Sequence, residues 1–300
     1  MSSMRLVVLA LVVALSVFIA DRAAMPLHAA TIQVSGSIVT DTTWTSGNVY
    51  VITNHVTVES GVTLTIQPGA IIKTYPNKVL GVKGTLKVLG TVDAPVTFTS
   101  LKDDTVGGDT NGDGNATAPA KGDWGHVAFL DSSVDAENLV EHTVIRYGGY
   151  FKANGREYYD CNYCEFWGSV RFDAASPTVR NNVIEQSRAW ALSASIDAFP
   201  VVSGNTLTNN EGNGLEIRGG ILSTVTPIIY RWSNTDVVYA LTGHATINSG
   251  VTLAIDPGVK LKVAPNKLLG VRGVLKVLGT TNTPVTFTSL KDDTVGGDTN

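Results

Sequence analysis

Oxygen-bearing side chains alternate in the run DTNGDG, at residues 109–114. Asp109, Asn111 and Asp113 have the spacing of the first half of a calcium-binding loop, in which carboxylate and amide oxygens converge on one cation and a glycine permits the sharp turn. The glutamate that closes an EF-hand loop would fall at Ala120. The run therefore predicts a Ca²⁺ site that is not an EF-hand, and the alternative is a solvated acidic turn.

Three further carboxylates stand close to this run in the sequence. Asp123 is the candidate for a later closing ligand, and Asp103 and Asp104 can contribute from the other side of the same loop, residues 103–123. A bound ion would hold this loop against the element that it leaves. Nothing in the pattern indicates a catalytic role for such an ion.

A second group of candidate binding residues lies in an aromatic-rich insertion, residues 147–168. Exposed aromatic rings beside charged side chains form a suitable platform for sugar rings or for a partner protein. The alternative is a small core that covers one flank of the fold. The candidate ligand-binding residues are Tyr150, Tyr158, Tyr159, Tyr163 and Trp167.

The two cysteines, Cys161 and Cys164, lie within this insertion in the run CNYC. A C-x-x-C pair can perform redox chemistry, but no βαβ pattern surrounds this one. A local disulfide or two free thiols is the favoured interpretation. A zinc site would require two more soft ligands at suitable spacing, and the sequence offers none.

The elements that must position these residues are short strands. Val62, Leu64 and Ile66 alternate with threonine, and further pairs of apolar residues follow with the same period of two. Glycine, proline and asparagine turns separate them, and the spacing leaves no room for intervening helices. The pattern predicts an all-β fold.

A shorter rhythm appears further along the chain. Residues 177–195 and 200–218 superpose with an offset of 23 residues, which aligns Asn182 with Asn205. A unit of this length cannot bury its apolar face alone, but it can do so when stacked on copies of itself. Parallel stacking of such coils would also bring the aligned asparagines together as a ladder of side-chain amides.

A much longer repeat organises the whole chain. Residues 50–111 align without a gap with residues 239–300, at a spacing of 189 residues, and about two-thirds of the positions are identical. We therefore predict a first unit at residues 31–230 and part of a second copy at residues 231–300 that continues the same solenoid. The second copy ends in the run SLKDDTVGGDTN, and we expect the chain to be a segment of a longer tandem array.

These motifs carry a family resemblance. The coils P-x-V-x-x-N-x-[IL], and the run G-V-T-L-x-I-x-P-G with P-V-T-F-T-S after it, resemble right-handed parallel β-helix proteins of the pectin-lyase-like superfamily. More closely, they resemble long secreted bacterial surface proteins built from such repeats. The resemblance implies a right-handed parallel β-helix with loop insertions, but it implies little about activity because this fold hosts lyases, hydrolases, adhesins and scaffolds.

The resemblance also allows a search for catalytic sets. Hydrolases of this superfamily use Asn-Thr-Asp, Asp-Asp, Gly-His-Gly and Arg-x-Lys on successive coils. Here Asn-Thr-Asp occurs at residues 234–236 and Asp-Asp at residues 103–104 and 292–293, but the other two motifs do not follow. The basic set of the lyases is not recognisable either. We interpret residues 234–236 as a turn and expect no catalytic residues.

Composition and the N-terminus indicate where the protein works. The formal charge is −4 without a basic stripe, which argues against nucleic acid and anionic membrane surfaces as partners. Residues 1–30 have the basic start, apolar run and small residues of an export signal, although an uncleaved anchor is the alternative. We expect a secreted or cell-surface scaffold or adhesin that binds Ca²⁺ and contacts glycans or further repeats of its own chain. The alternative is a protein that binds or degrades polysaccharides.

Overall fold

The computed structural model describes residues 30–149, 167–223 and 229–300. All regular elements in these ranges are β-strands, and every strand pair is parallel. The predicted fold class is confirmed, since the strands stack as the turns of a right-handed parallel β-helix. Short strands separated by turns at glycine and asparagine produce this arrangement because each coil changes direction several times per turn.

Eighteen strands are described up to residue 217. They are β1 (Ala30–Ile38), β2 (Thr42–Trp44), β3 (Asn48–Val58), β4 (Thr63–Ile66), β5 (Ile71–Thr74), β6 (Leu80–Val82), β7 (Thr85–Leu89), β8 (Val96–Ser100), β9 (Val127–Phe129), β10 (Leu139–Glu141), β11 (Thr143–Arg146), β12 (Val170–Phe172), β13 (Thr178–Arg180), β14 (Val183–Glu185), β15 (Trp190–Ala194), β16 (Val201–Ser203), β17 (Thr206–Thr208) and β18 (Gly212–Ile217).

Nine more strands are described after residue 218. They are β19 (Gly220–Leu222), β20 (Ile229–Trp232), β21 (Tyr239–Leu241), β22 (Ala245–Ile247), β23 (Thr252–Ile255), β24 (Lys260–Val263), β25 (Leu269–Val271), β26 (Val274–Val277) and β27 (Thr286–Ser289).

The strands of the first unit form three faces. Face one is β2, β4, β7, β10, β13 and β16, and face two is the first half of β3 with β5, β8, β11, β14 and β17. Face three is the second half of β3 with β6, β9, β12, β15 and β18, and it continues through β21, β24 and β27. Two three-stranded sheets complete the last turns. One contains β19, β22 and β25, and the other contains β20, β23 and β26.

Alternation along each strand fills the interior between the faces. In β4 the apolar Leu64 and Ile66 are fully buried, while Thr63 and Thr65, which alternate with them, are half-buried. Phe98, Phe129 and Phe172 are buried in the same continuous core. Each coil therefore supplies a layer of apolar side chains that the next coil covers, and burial of about 25 cal/mol per Å² of apolar surface stabilises the stack.

The predicted 23-residue coils pair in register. Val183 pairs with Thr206 between β14 and β17, as the offset requires. The predicted amide ladder is also present, because Nδ2 of Asn182 donates to Oδ1 of Asn205 over 2.9 Å. Asn182 is buried, and its side chain also bonds the backbone of the preceding turn.

The second copy is rotated about the helix axis by one face. Strands β21, β24 and β27 are the sequence equivalents of the first half of β3, of β5 and of β8, which lie on face two. In the second copy these strands stack on β18 and therefore lie on face three. The spacing of 189 residues thus spans six turns and one further face, and equivalent loops of the two copies leave from neighbouring sides of the rod.

Candidate cation site and the surface around it

The loop at residues 103–123 leaves β8 and folds back over the outer surface of face two. There it covers a small apolar cluster made of Val49, Val51, Leu101 and Ile71. The fit is close, since a Cβ atom added at Gly107 would lie 2.8 Å from a methyl carbon of Val49. The glycine pair of the run VGGD is therefore required for docking and for the positive φ of the turn.

A buried lysine lies under the same loop. Lys73 is on β5 and is fully buried, and its Nζ donates to the carbonyl oxygen of Gly108 over 2.5 Å. Burial lowers the pKa of Lys73, while the negative charges of Asp104, Asp103 and Asp109 act in the opposite direction. The lysine thus connects the β-helix to the loop and supplies one positive charge to it.

Asp103 fixes the start of the loop. It is fully buried and accepts hydrogen bonds from Oγ1 of Thr99 at 2.5 Å and from Oγ1 of Thr105 at 2.6 Å. The guanidinium of Arg146, on β11, forms an ion pair with it at 2.6 Å. Burial alone would raise the pKa of Asp103, but the hydrogen bonds from Thr105 and Thr99 and the charge of Arg146 outweigh it and lower the pKa.

Asp109 organises the turn that follows. Its two carboxylate oxygens accept the backbone N–H groups of Gly112 at 2.7 Å, Asp113 at 3.2 Å and Gly114 at 2.8 Å. These hydrogen bonds, that from Gly114 foremost, lower the pKa of Asp109. Gly112 and Gly114 both have a φ of 73°, which a residue with a side chain adopts only with strain. The sequence DTNGDG thus builds the turn and keeps the carboxylate ionised.

Three carboxylates meet at this turn. Oxygen atoms of Asp104, Asp109 and Asp113 all lie within 4.8 Å of one another. One oxygen each of Asp104, Asp113 and Asn111 is buried without a hydrogen-bond partner. The three carboxylates and the single ammonium of Lys73 leave two negative charges, which fits a divalent cation bound by hard oxygen ligands.

The predicted ligands are therefore brought together in part. Asp109, Asn111 and Asp113 share the turn, and Asp104 joins them from the other side of the loop. Asp123 lies at the base of the loop instead, where it pairs with Nζ of Lys102 at 3.0 Å and accepts Oγ of Ser100 at 2.8 Å. Its role as a closing ligand stays a prediction.

The equivalent loop of the second copy repeats the anchor on face three. Lys262 is fully buried, and its Nζ donates to the carbonyl oxygen of Gly297 and to Oγ1 of Thr299, both over 2.6 Å. Asp292 accepts Oγ1 of Thr288 and Oγ1 of Thr294, as Asp103 does from its counterparts. Among the residues described, the second loop has no cluster of three acidic groups.

Comparison with known families agrees with this architecture. Residues 36–154 match the family model for the pectate-lyase-like β-helix domain. This part of the chain is therefore similar to a pectate-lyase-like β-helix domain. Comparison with curated proteins and with solved structures gave no match. In the described ranges, no helix has the length and apolar character needed to cross a membrane.

The Asn-Thr-Asp run, residues 234–236, connects neighbouring coils of the β-helix through hydrogen bonds. Asn234 is buried, accepts the backbone N–H of Val202 at 2.9 Å and donates to the carbonyl oxygen of Pro200 and to the hydroxyl of Tyr239. Asp236 accepts the backbone N–H of Gly204 at 3.3 Å. These contacts fit the predicted turn, which joins β20 to β21.

The aromatic-rich insertion lies largely outside the described residues. This applies to Tyr150, Tyr158, Tyr159, Tyr163, Cys161 and Cys164, whose predicted roles stay predictions. Trp167 is described and is only 3% exposed. Arg171 lies 3.0 Å above its ring, and His126 is 5.4 Å from it. Trp167 itself is thus packed against the flank of the β-helix and does not form an exposed platform.

A polar network on the outside of face three escaped prediction from sequence. Arg218 donates to Oγ of Ser193 at 2.9 Å and pairs with Asp173 at 2.5 Å, while Arg171 pairs with the same Asp173 at 2.6 Å. Glu216 accepts Oγ of Ser193 at 2.6 Å. Successive coils supply these groups. The sequence feature that could have revealed the network is the 23-residue offset, which aligns Ser193 with Glu216.

Proposed function

We propose that this protein is an exported β-helix scaffold that displays loops around a stiff rod, and that Ca²⁺ holds the loop at residues 103–123. The β-helix supports the first part, because a continuous stack of parallel strands resists bending and each loop leaves it at a defined coil. Export rests on the sequence of residues 1–30 and can be measured by fractionation and N-terminal sequencing.

One observation carries the scaffold proposal. The second copy reproduces the first part of the loop, at residues 292–300, and its buried lysine but presents them on face three, whereas the first copy presents them on face two. Duplication of the unit therefore repeats the loop on different sides of the rod. Such an arrangement multiplies weak contacts with a surrounding surface or matrix.

The calcium proposal is supported by the donor set of the first loop. Carboxylate oxygens of Asp104, Asp109 and Asp113 converge, and buried oxygens there have no protein partner. An unpartnered buried oxygen atom costs about 1–3 kcal/mol, and a cation would satisfy several at once. Ca²⁺ suits this set because it accepts six to eight oxygen ligands in a flexible geometry.

Calcium titration by calorimetry tests the proposal, and the repeat supplies a matched control. Asp104 and Asp109 have the sequence equivalents Asp293 and Asp298 in the second copy. Changing Asp104 and Asp109 to asparagine should abolish calcium binding and the accompanying rise in Tm. Changing Asp293 and Asp298 to asparagine, which removes the same charge, should leave both intact.

Two results would overturn the calcium part of the proposal. One is a wild-type chain that shows neither a binding heat of either sign nor a rise in Tm with Ca²⁺ at about millimolar concentration, the weak end of specific sites. The other is equal loss of binding in both double variants, because that would indicate a general response to negative charge. The scaffold proposal is tested separately by screening the chain for cleavage of polysaccharides, since turnover would contradict a purely structural role.

A further inference from the structure

Beside the loop lies a groove of about 500 Å³ on the outside of face three. Its lining residues are Arg188, Ala189, Trp190, Glu211 and Glu216. The groove contains one aromatic ring, one guanidinium and two carboxylates, and it shares none of its lining residues with the cation cluster.

Trp190 is held with its ring against the next coil. A Cβ atom added at Gly212 would lie 2.3 and 2.4 Å from two carbons of the indole, so the ring covers this glycine directly. Trp190 is half-buried and borders the groove. The glycine of the next coil therefore fixes an aromatic surface that stays open to a ligand.

The hydrogen-bonding groups of the groove are oriented by their neighbours. Glu216 is 9% exposed, and its carboxylate accepts Oγ of Ser193 at 2.6 Å and Oγ1 of Thr242 at 2.8 Å. Glu211 lies at the exposed side, where Nζ of Lys121 is 3.6 Å away. The groove thus offers oriented acceptors beside an aromatic surface, an arrangement that suits a ring bearing hydroxyl groups.

The charges of the groove favour a neutral ligand. Lys121 pairs with Glu211, and Arg218 interacts with Glu216. Arg188 and Lys121 carry two positive charges, Glu211 and Glu216 carry two negative charges, and Arg218 also pairs with Asp173. The groove and its ion-pair partner therefore have no net charge, and neither a uronate nor a cationic ligand gains a large electrostatic advantage. We propose that this groove binds a neutral pyranose unit of a glycan, which stacks on Trp190 and donates hydroxyl groups to Glu211 and Glu216.

Tryptophan fluorescence provides a direct measurement of this site. The chain has five tryptophans, and the other four are at most 3% exposed: Trp44, Trp124, Trp167 and Trp232. Quenching by acrylamide should therefore report mainly on Trp190. Neutral oligosaccharides derived from glucan, galactan, mannan and xylan should protect it from quenching, and polygalacturonate and chitosan fragments should protect it less.

Variants separate binding from folding. Replacing Trp190 by Ala should weaken glycan binding at least about tenfold in calorimetry, and Trp190→Phe should retain part of it. Glu211→Gln should weaken it by about threefold, whereas Glu185→Gln, on β14 and away from the groove, should have no effect. Circular dichroism and Tm establish that each variant is folded.

Several results would overturn the inference. They are the absence of protection by every neutral glycan at about 1 mM, undiminished binding by the folded Trp190→Ala variant, or tighter binding of polygalacturonate than of any neutral glycan. Repeating the titration with the double variant of Asp104 and Asp109 distinguishes this site from the cation site. Binding of neutral glycans should persist in that variant.

Discussion

Replacing Asn182 by alanine should destabilise the β-helix at one defined coil. Asn182 is 1% exposed, and its Oδ1 accepts the backbone N–H of Thr143 at 2.9 Å. Its Nδ2 donates to the carbonyl oxygen of Val140 at 3.0 Å and to Oδ1 of Asn205 at 2.9 Å. At a net value of about 1 kcal/mol for each hydrogen bond, the variant should lose about 3 kcal/mol of unfolding free energy.

Urea denaturation measures this loss, and hydrogen exchange at the amide of Thr143 locates it. Asn205→Ala is the matched control, because Asn205 takes part in the same ladder but is half-buried and water can replace its contacts. We expect it to lose about 1 kcal/mol. Two results would refute the proposed role of the ladder. One is an unfolding free energy of Asn182→Ala within about 0.5 kcal/mol of wild type, and the other is a larger loss of unfolding free energy for Asn205→Ala than for Asn182→Ala.

Three further perturbations test the packing and electrostatics of the rod. Phe98→Ala should lower the free energy of unfolding by about 3–5 kcal/mol in urea denaturation, because Phe98 is 1% exposed. The same change at its repeat equivalent Phe287, which is 46% exposed, should lower it by less than about half of that. Equal losses for the two variants would contradict the register of the repeat. The lowered pKa of Asp103 stabilises the fold above the unfolded value of about 3.9, and this contribution is lost as pH falls through the folded pKa. Asp103→Asn should therefore be less stable at neutral pH and show a flatter Tm profile below about pH 5, and an unchanged profile would contradict the ion pair. Burial raises the pKa of Glu216, so its contribution to stability is complete below about pH 4.3 and is lost as pH rises through the folded pKa. Glu216→Gln should raise Tm at pH 7 relative to wild type, and a lower Tm there would show that the carboxylate is needed in its charged form.

The sequence predicts the fold well because the fold is repetitive. The 23-residue offset determines which residues of adjacent coils pair, and the pairing of Val183 with Thr206 follows it directly. Buried positions such as Leu64 could be predicted in the same way from alternation. These features depend on neighbouring coils of similar length, so local pattern was sufficient.

The rotation of the second copy could not be predicted from the repeat. Two copies with the same residues look equivalent in an alignment, but the face on which each begins depends on how many turns the intervening segment makes. That number depends on the lengths of loops and insertions, which the alternation of residues does not reveal. The stacking of β21 on β18 therefore became evident only from the structure.

The candidate site was predicted in part for a similar reason. Asp109, Asn111 and Asp113 are close in sequence, so their spacing carries the signal. Asp103 and Asp104 are equal candidates in the sequence, and only the folding back of the loop brings Asp104, and not Asp103, to the turn. Lys73 is buried only because the same loop covers β5. An outward lysine on a strand ordinarily indicates solvent, and tertiary docking overrides that expectation.

Anomalous diffraction from crystals grown with Ca²⁺ tests the proposed function most directly. We predict a peak at the turn of the first loop, about 2.3–2.6 Å from carboxylate oxygens of Asp104, Asp109 and Asp113. We predict no peak at the equivalent loop around Asp293 and Asp298. A map without a peak among the three carboxylates, with Ca²⁺ in excess, would contradict the proposal that calcium holds this loop on the β-helix.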